Sequence, residues 1–290
     1  MQSYARRSAL ILTVAVAVFL TGCRVVPAVV SIANADYIDI RTLDLRRVLP
    51  PAPSDGSDQT QRELAELLQI QKVRTAEQCE RAAADVPVHV EQFSVAVGLT
   101  PAALKNLPKL QQLSGRLRIL GAAIMDSAKR AYARPRPFRL DTRVQPCIER
   151  PASDAYPGGH ATWAYMTALV LADMLPEKRS VIMARADEFA RSRVLGGVHY
   201  PSDNDAGRLA GTVIAAMLFA SPQFAVDAAA AGAELRAALP TDGSVTPVAG
   251  DSVPQSPIQR QYGDQQQRRT GIVGGRQHQR EAPPYHHRSD

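Results

Sequence analysis

Ser192-Arg193-Val194-Leu195-Gly196-Gly197-Val198-His199-Tyr200-Pro201-Ser202-Asp203 is the stretch that decides how this chain is read. Proline suits the first position of a helix, because its ring fixes φ near the helical value and its missing N–H is one the first turn does not use. Pro201 followed by Ser202 and Asp203 therefore marks a helix start, with His199 in the entry turn and Asp203 in the first helical turn. At that spacing the carboxylate can accept a hydrogen bond from one imidazole nitrogen, fixing the tautomer and leaving the other nitrogen free. Arg193, six positions before His199, adds a guanidinium. An oriented neutral imidazole beside a guanidinium suits attack on a phosphate ester.

Two further segments carry compatible chemistry. Lys129-Arg130-Ala131-Tyr132-Ala133-Arg134-Pro135-Arg136-Pro137 places a lysine seven residues before an Arg-Pro pair. Pro135 and Pro137 should end the helix that carries Lys129, so that Arg136 can turn inward; Arg134, the other arginine of the doubled Arg-Pro, is given a structural role. Tyr156-Pro157-Gly158-Gly159-His160 is a glycine turn leading into an apolar helix, and free amides at such a turn form a ready anion site. Phosphoryl transfer needs charge neutralised on the non-bridging oxygens, an in-line nucleophile and a proton for the leaving group. Lys129, Arg136 and Arg193 supply up to three positive charges, and arginine can donate twice to a pair of oxygens.

Taken in order, the three segments resemble the signature of the type 2 phosphatidic acid phosphatase superfamily. Its pattern is Lys, six residues, Arg-Pro; then Pro-Ser-Gly-His; then Ser-Arg, five residues, His, three residues, Asp. The chain matches every position but one, Gly158 standing where the family has serine. The flanks around Lys129–Phe138 and Gly197–Gly207 look most like those of the bacterial class A non-specific acid phosphatases, and the likeness runs from about Leu49 to Leu239. Three spaced blocks are a far more specific signal than any one alone.

The resemblance implies a single helical-bundle domain of the acid phosphatase and vanadium haloperoxidase type. It also implies hydrolysis of small phosphomonoesters with no cofactor and no metal. By resemblance, His199 attacks phosphorus, Asp203 orients it and His160 protonates the departing alcohol. Lys129, Arg136, Gly158, Gly159 and Arg193 hold the phosphate. Neither His160 nor His199 has clustered Cys, His or Asp partners at metal-ligand spacing. The family serine is expected to donate its hydroxyl to phosphate, so the expectation from sequence is that Gly158→Ser raises activity. Other outcomes of the same motifs are a vanadium haloperoxidase, a tethered lipid phosphate or lipid pyrophosphate phosphatase, and a catalytically weak phosphate-binding lipoprotein.

The rest of the chain fits an exported, all-α protein. Helical patterning gives expected helices near 62–84, 86–97, 101–106, 109–132, 160–175, 177–195, 203–219 and 222–238, and no alternation argues for a sheet. The apolar stretches His160–Leu175 and Leu209–Ala220 are short and read as core helices rather than membrane spans. Net charge is +6, yet no Lys/Arg run interleaved with aromatics points to nucleic acid, and no nucleic-acid partner is expected; a homo-oligomer is possible.

Arg6-Arg7 followed by the apolar Ala9–Leu20 reads as a signal peptide over 1–22. Leu20-Thr21-Gly22-Cys23 resembles a bacterial lipobox, which would lipidate Cys23 and anchor a periplasmic or cell-envelope lipoprotein. A tether is expected over 23–58, the phosphatase domain over 59–240 and a disordered Gln/Arg/Pro-rich tail over 241–290. With Cys23 acylated, Cys79 and Cys147 remain as an even pair in an oxidising compartment, and a disulfide between them is expected.

Overall fold

Short polar caps and prolines set the helix starts. The computed structural model of the chain describes residues 37–240; the signal peptide, Cys23 and the tail expected over 241–290 lie outside them. Helix α1 spans Asp58–Val73, with Ser57 accepting the Thr60 N–H. Helix α2 spans Ala76–Ala84. It opens with a capping box in which Thr75 takes the Gln78 N–H and Gln78 takes that of Thr75. That box splits the single helix expected over 62–84, since it satisfies the amides of a new helix at Thr75 better than continuation would. The helix expected over 86–97 is instead two short turns, Val90–Phe93 and Ser94–Val97, because Pro87 and the extended His89 precede them.

The longer helices follow expectation to within two residues: α3 Pro108–Tyr132, α4 Gly159–Met174, α5 Arg179–Leu195, α6 Pro201–Phe219 and α7 Pro222–Ala238. Prolines occupy the first turns of α3, α6 and α7. No strand occurs among the described residues, and the class is all-α.

Helix α4 lies at the centre. Twelve of its sixteen residues are buried, so it has no polar face and is packed on all sides. Its neighbours are α3, α5, α6 and α7. Trp163 meets Phe93 and Phe189 in tilted arrangements, at ring separations of 5.8 and 5.2 Å. Helix α6 comes close to α4 because glycine occupies its contact face: a Cβ on Gly207 or Gly211 would press into the backbone of Gly158 or Thr162. Among the described residues no single helix is long and apolar enough to cross a membrane.

The second half of the segment expected to be a tether belongs to the core. Ile38, Leu45 and Leu49 are buried in the main hydrophobic cluster, and Tyr37 donates to Asp227 of α7 at 2.6 Å. The spaced apolar residues Ile38, Leu45 and Leu49 lack helical periodicity because two short 3-10 turns carry the chain here, each capped by an aspartate, Asp39 or Asp44.

Cys79 and Cys147 form a disulfide across 68 residues. It joins α2 to the segment that lies against the Arg193–His199 region, where the Cys147 N–H donates to Gly196 O at 3.2 Å. Ala82, Ile148 and Val198 pack together beside it. A cross-link closing a loop of this length stabilises by about 2–5 kcal/mol, chiefly by restricting the unfolded chain. Replacing both cysteines with serine should lower the unfolding free energy by that amount. The check is denaturant unfolding of the wild type with and without reductant beside the double variant, which should match the reduced wild type.

Candidate active site

The glycine contact between α4 and α6 sets two helix N-termini side by side, and the predicted site residues gather there. The Gly158 N–H donates to Asp203 O at 2.8 Å, stitching the turn before α4 to the first turn of α6. Asp203 lies at the third position of α6 and reaches back to accept the Tyr200 N–H at 2.9 Å. The same oxygen, Oδ2, stands 3.0 Å from His199 Nδ1. An ionised carboxylate only accepts, so His199 carries its proton on Nδ1. The other ring nitrogen, Nε2, is then a lone-pair acceptor, and Arg136 Nη1 donates to it at 2.8 Å. His199 is 1% exposed and Asp203 fully buried.

Arg136 is held on several sides. Its Nε donates to Ser153 O at 2.8 Å, Nη1 also to Val198 O at 2.8 Å, and Nη2 to the Ser153 hydroxyl at 3.1 Å. It reaches this place because α3 ends at Tyr132 and Ala133 turns the chain through a left-handed conformation, φ 48°. Lys129, in the last turn of α3, points its ammonium at the loop before α4, donating to the carbonyls of Asp154 (2.7 Å), Ala155 (3.4 Å) and Pro157 (2.8 Å). All three of its donors are thus engaged by backbone, so it shapes the glycine turn and contributes charge beneath it.

Arg193 differs from both. It is 1% exposed, and its Nε and Nη1 atoms are buried with no hydrogen-bond partner. A buried guanidinium N–H without an acceptor carries a desolvation cost of about 1–3 kcal/mol or more, and an anion with several oxygens is the partner its planar fork fits. The first amides of α4, at Gly159 and His160, have no intrahelical acceptor by the geometry of a helix start.

His160 stacks on Phe189, with ring centres 5.8 Å apart. Its Nε2 donates to Val86 O at 3.0 Å, because a carbonyl can only accept; Nδ1 is therefore the unprotonated nitrogen. Burial, followed by the charges of Arg193, Arg136 and Lys129, pushes His160 down to about 3. Burial, with these cations, therefore favours the neutral ring at His160 in the free protein. His199 is lowered well below its usual value by burial and then by Arg136, Lys129 and Arg193. Burial also brings Arg136 and Arg193 each down to about 10 and lowers Lys129.

Direct hydrogen bonds thus join Arg136, His199, Asp203 and Gly158, Lys129 holds the loop that carries Gly158 and Gly159, and His160 and Arg193 act on His199 electrostatically. Among the described residues no group of three His, Cys, Asp or Glu side chains is arranged to hold a metal ion. Sequence reasoning missed Val86, Ser153 and Glu63. The first contributes a backbone carbonyl, which no residue type announces. Glu63 sits on α1 at a helical position flanked by charged and polar residues, where burial was not legible.

Gly158 has φ −69° and ψ 107°, a conformation open to any residue. Space is the obstacle: a Cβ there would stand 2.8 Å from Asp203 O and 3.2 Å from Asn204 Oδ1. The expectation that serine would improve this position is therefore reversed, because its Cβ would press on the backbone of the first turn of α6 and shift His199 and Asp203. Overpacking of this kind costs about 1–3 kcal/mol, so Gly158→Ser should lower both thermal stability and kcat/KM, by about 2- to 12-fold for activity if half of that strain falls on the site. Paired melting curves and steady-state kinetics check this, and an increase in kcat/KM would contradict it.

Known proteins resemble this chain in sequence. Residues 117–227 match the PAP2 superfamily model, a span that contains Lys129, Arg136, the glycine turn, Arg193, His199 and Asp203. A non-specific acid phosphatase of Providencia stuartii is 32% identical over 200 residues, 63% of this chain and 77% of the relative. That of Salmonella typhimurium is 32% identical over 187 residues, 61% of this chain and 74% of the relative. An acid phosphatase of Zymomonas mobilis is 27% identical over 199 residues, 66% of this chain and 75% of the relative. With two helix N-termini, three buried cations and an aspartate-held histidine in the matched span, the chain belongs to the PAP2 superfamily and, within it, to the family of the non-specific acid phosphatases.

Proposed function

We propose that the protein is an acid phosphatase that hydrolyses small phosphomonoesters through a phosphohistidine on His199, without a metal. The observation that carries this is the buried His199–Asp203 pair with His199 Nε2 as the lone-pair nitrogen, facing Arg136 and set among Arg193 and Lys129. Phosphate binding exchanges partners. An oxygen of the ester takes the Arg136 Nη1 donor that His199 Nε2 holds in the free protein, and the nucleophile is released as the substrate is gripped. Arg193 and the amides at Gly159 and His160 take the remaining oxygens. His199 Nε2 then attacks phosphorus while the P–O bond to the alcohol breaks. His199 Nδ1–H stays on Asp203, whose charge stabilises the positive ring that forms.

His160 gives the leaving oxygen its proton, and water then cleaves the P–N bond to free phosphate. In the free cage His160 is neutral, so its proton arrives with the substrate. A phosphate anion offsets the cations that depress it and favours the charged ring. Because Nε2 is engaged by Val86 O, the proton leaves either from Nδ1 or after that contact opens.

The N-terminal segment supports an exported lipoprotein. Arg6-Arg7, the apolar run Ala9–Leu20 and the lipobox-like Leu20–Cys23 support a cell-envelope location with a lipid anchor on Cys23. Wild type expressed in a bacterial host should fractionate with membranes, and Cys23→Ser should release it; soluble wild type in the envelope fraction would count against the anchor.

Turnover of p-nitrophenyl phosphate is expected at acidic to neutral pH, inhibited by vanadate and unchanged by EDTA. Activity lost on chelation and restored by a divalent metal would overturn the metal-free mechanism. His160→Ala should slow alkyl phosphates by about 10²–10⁴-fold, the usual worth of general acid catalysis, and aryl phosphates much less, since a phenolate leaves with little protonation. Equal losses on both substrate types would remove His160 from that role.

A further inference from the structure

Asp203 has a second oxygen, and the partner it meets was assigned no part in the chemistry. Arg134 Nη1 donates to Asp203 Oδ1 at 2.7 Å and to the Ser202 hydroxyl at 2.8 Å. Its other arm, Nη2, donates to Glu63 Oε2 at 3.0 Å and to Thr60 Oγ1 at 3.3 Å. Glu63 in turn caps α6: its Oε1 accepts the Ser202 N–H at 3.0 Å and its Oε2 the Ser202 hydroxyl at 2.8 Å. The Arg134 guanidinium lies 3.9 Å over the Tyr200 ring. The side chains of Arg134, Glu63 and Asp203 are at most 2% exposed.

One carboxylate would neutralise Arg134; two share it. If Arg134 served only to tie α1 to the body, the Glu63 pair would suffice, and Asp203 would need no second donor. Instead the planar fork bridges a carboxylate that caps α6 and the carboxylate that orients His199, fixing the distance between them. We propose that Arg134, itself held by Glu63, is a positioning residue that keeps the Asp203 carboxylate charged and aimed at His199 under acidic conditions. It rests on the phosphatase reading of the same site.

The electrostatics agree with the geometry. Burial raises Asp203 above the ordinary carboxyl range, and Arg134 heads the groups that oppose that rise, with the Tyr200 N–H and Lys129 after it. The charged and titratable groups facing Asp203 are Lys129 of α3, Arg134 and Arg136 of the Arg-Pro segment, Tyr156 before α4, and His199 and Tyr200 at the entry to α6. Lys129 spends its donors on carbonyls and acts only through space. Among the described residues, Arg134 is the one arginine or lysine that bonds directly to this carboxylate. A protonated Asp203 would lose the charge that fixes His199 as the Nδ1–H tautomer. Active enzyme therefore needs Asp203 ionised, and removing a cation that favours ionisation moves the acid limb of activity upward.

The test compares wild type, Arg134→Gln and Arg134→Lys in the full-length protein, each checked for folding by its melting curve. Removing a direct ion-pair partner should move the acid limb of the kcat/KM profile toward neutrality by about 1–3 pH units in Arg134→Gln, and by less in Arg134→Lys, which keeps the charge without the fork. In ¹⁵N-histidine-labelled protein the His199 Nδ1–H resonance, assigned by its loss in His199→Gln, should shift or broaden in both variants. A loss of the same factor at every pH, with the limb and the resonance unmoved, would reduce Arg134 to packing and overturn the proposal. Should Arg134→Gln not fold, Arg134→Lys carries both readouts with the same two outcomes. The resonance needs no turnover, so a wild type inactive on every phosphate would refute the phosphatase reading while the fate of the His199 proton still judges Arg134.

Discussion

Two helices with glycine at their contact can bring their N-termini closer than side chains would allow, and this site depends on that approach. Gly207 and Gly211 let α6 lie against α4, and Gly158 lets the turn before α4 donate directly to Asp203 O. His160 opens one helix and His199 enters the other, so the two imidazoles act on one another electrostatically without any loop having to fold over to deliver them. The Val86 carbonyl holds His160, and Val86 and Cys147 pack against the same small cluster of Ala82, Ile148 and Val198.

Electrostatic order follows from that packing. Lys129, Arg136 and Arg193 are drawn into a low-dielectric region with few carboxylates to answer them, which keeps both histidines neutral in the free protein. In the proposed mechanism neutral imidazole is the form needed at His199, whereas His160 would need a proton that burial and the cations deny it until an anion enters. On that reading the same crowding would favour a multiply charged oxyanion and time the general acid. Asp203 resists it through two bonds to one oxygen and a guanidinium on the other.

Much of this was legible in the residues. Pro201 announced α6 and thereby the four-residue step from His199 to Asp203; Pro135 and Pro137 announced that Arg136 leaves the helix of Lys129. What stayed hidden was set by burial and distance. Thr75 splits an apparently continuous helix because Gln78 answers it across one turn. The segment from Ile38 to Leu49 looks like linker, since 3-10 turns bury its apolar residues without helical period. Gly158 looked like a lost hydroxyl; only the position of Asp203 O, contributed by a residue forty-five places on, shows that there is no room for a Cβ. Lys129 was read as a phosphate ligand, but its three carbonyl partners belong to a loop whose path sequence does not reveal.

The account turns on His199 Nε2 as the nucleophile. Rapid quench into alkali, where phosphohistidine survives, during turnover of a ³²P-labelled aryl phosphate, followed by peptide mapping, tests this most directly. The expected result is label on His199, absent from His199→Gln and retained or increased in variants slowed at the second step. Label on another residue, or none in a fully active enzyme whose product shows inversion at phosphorus, would contradict it.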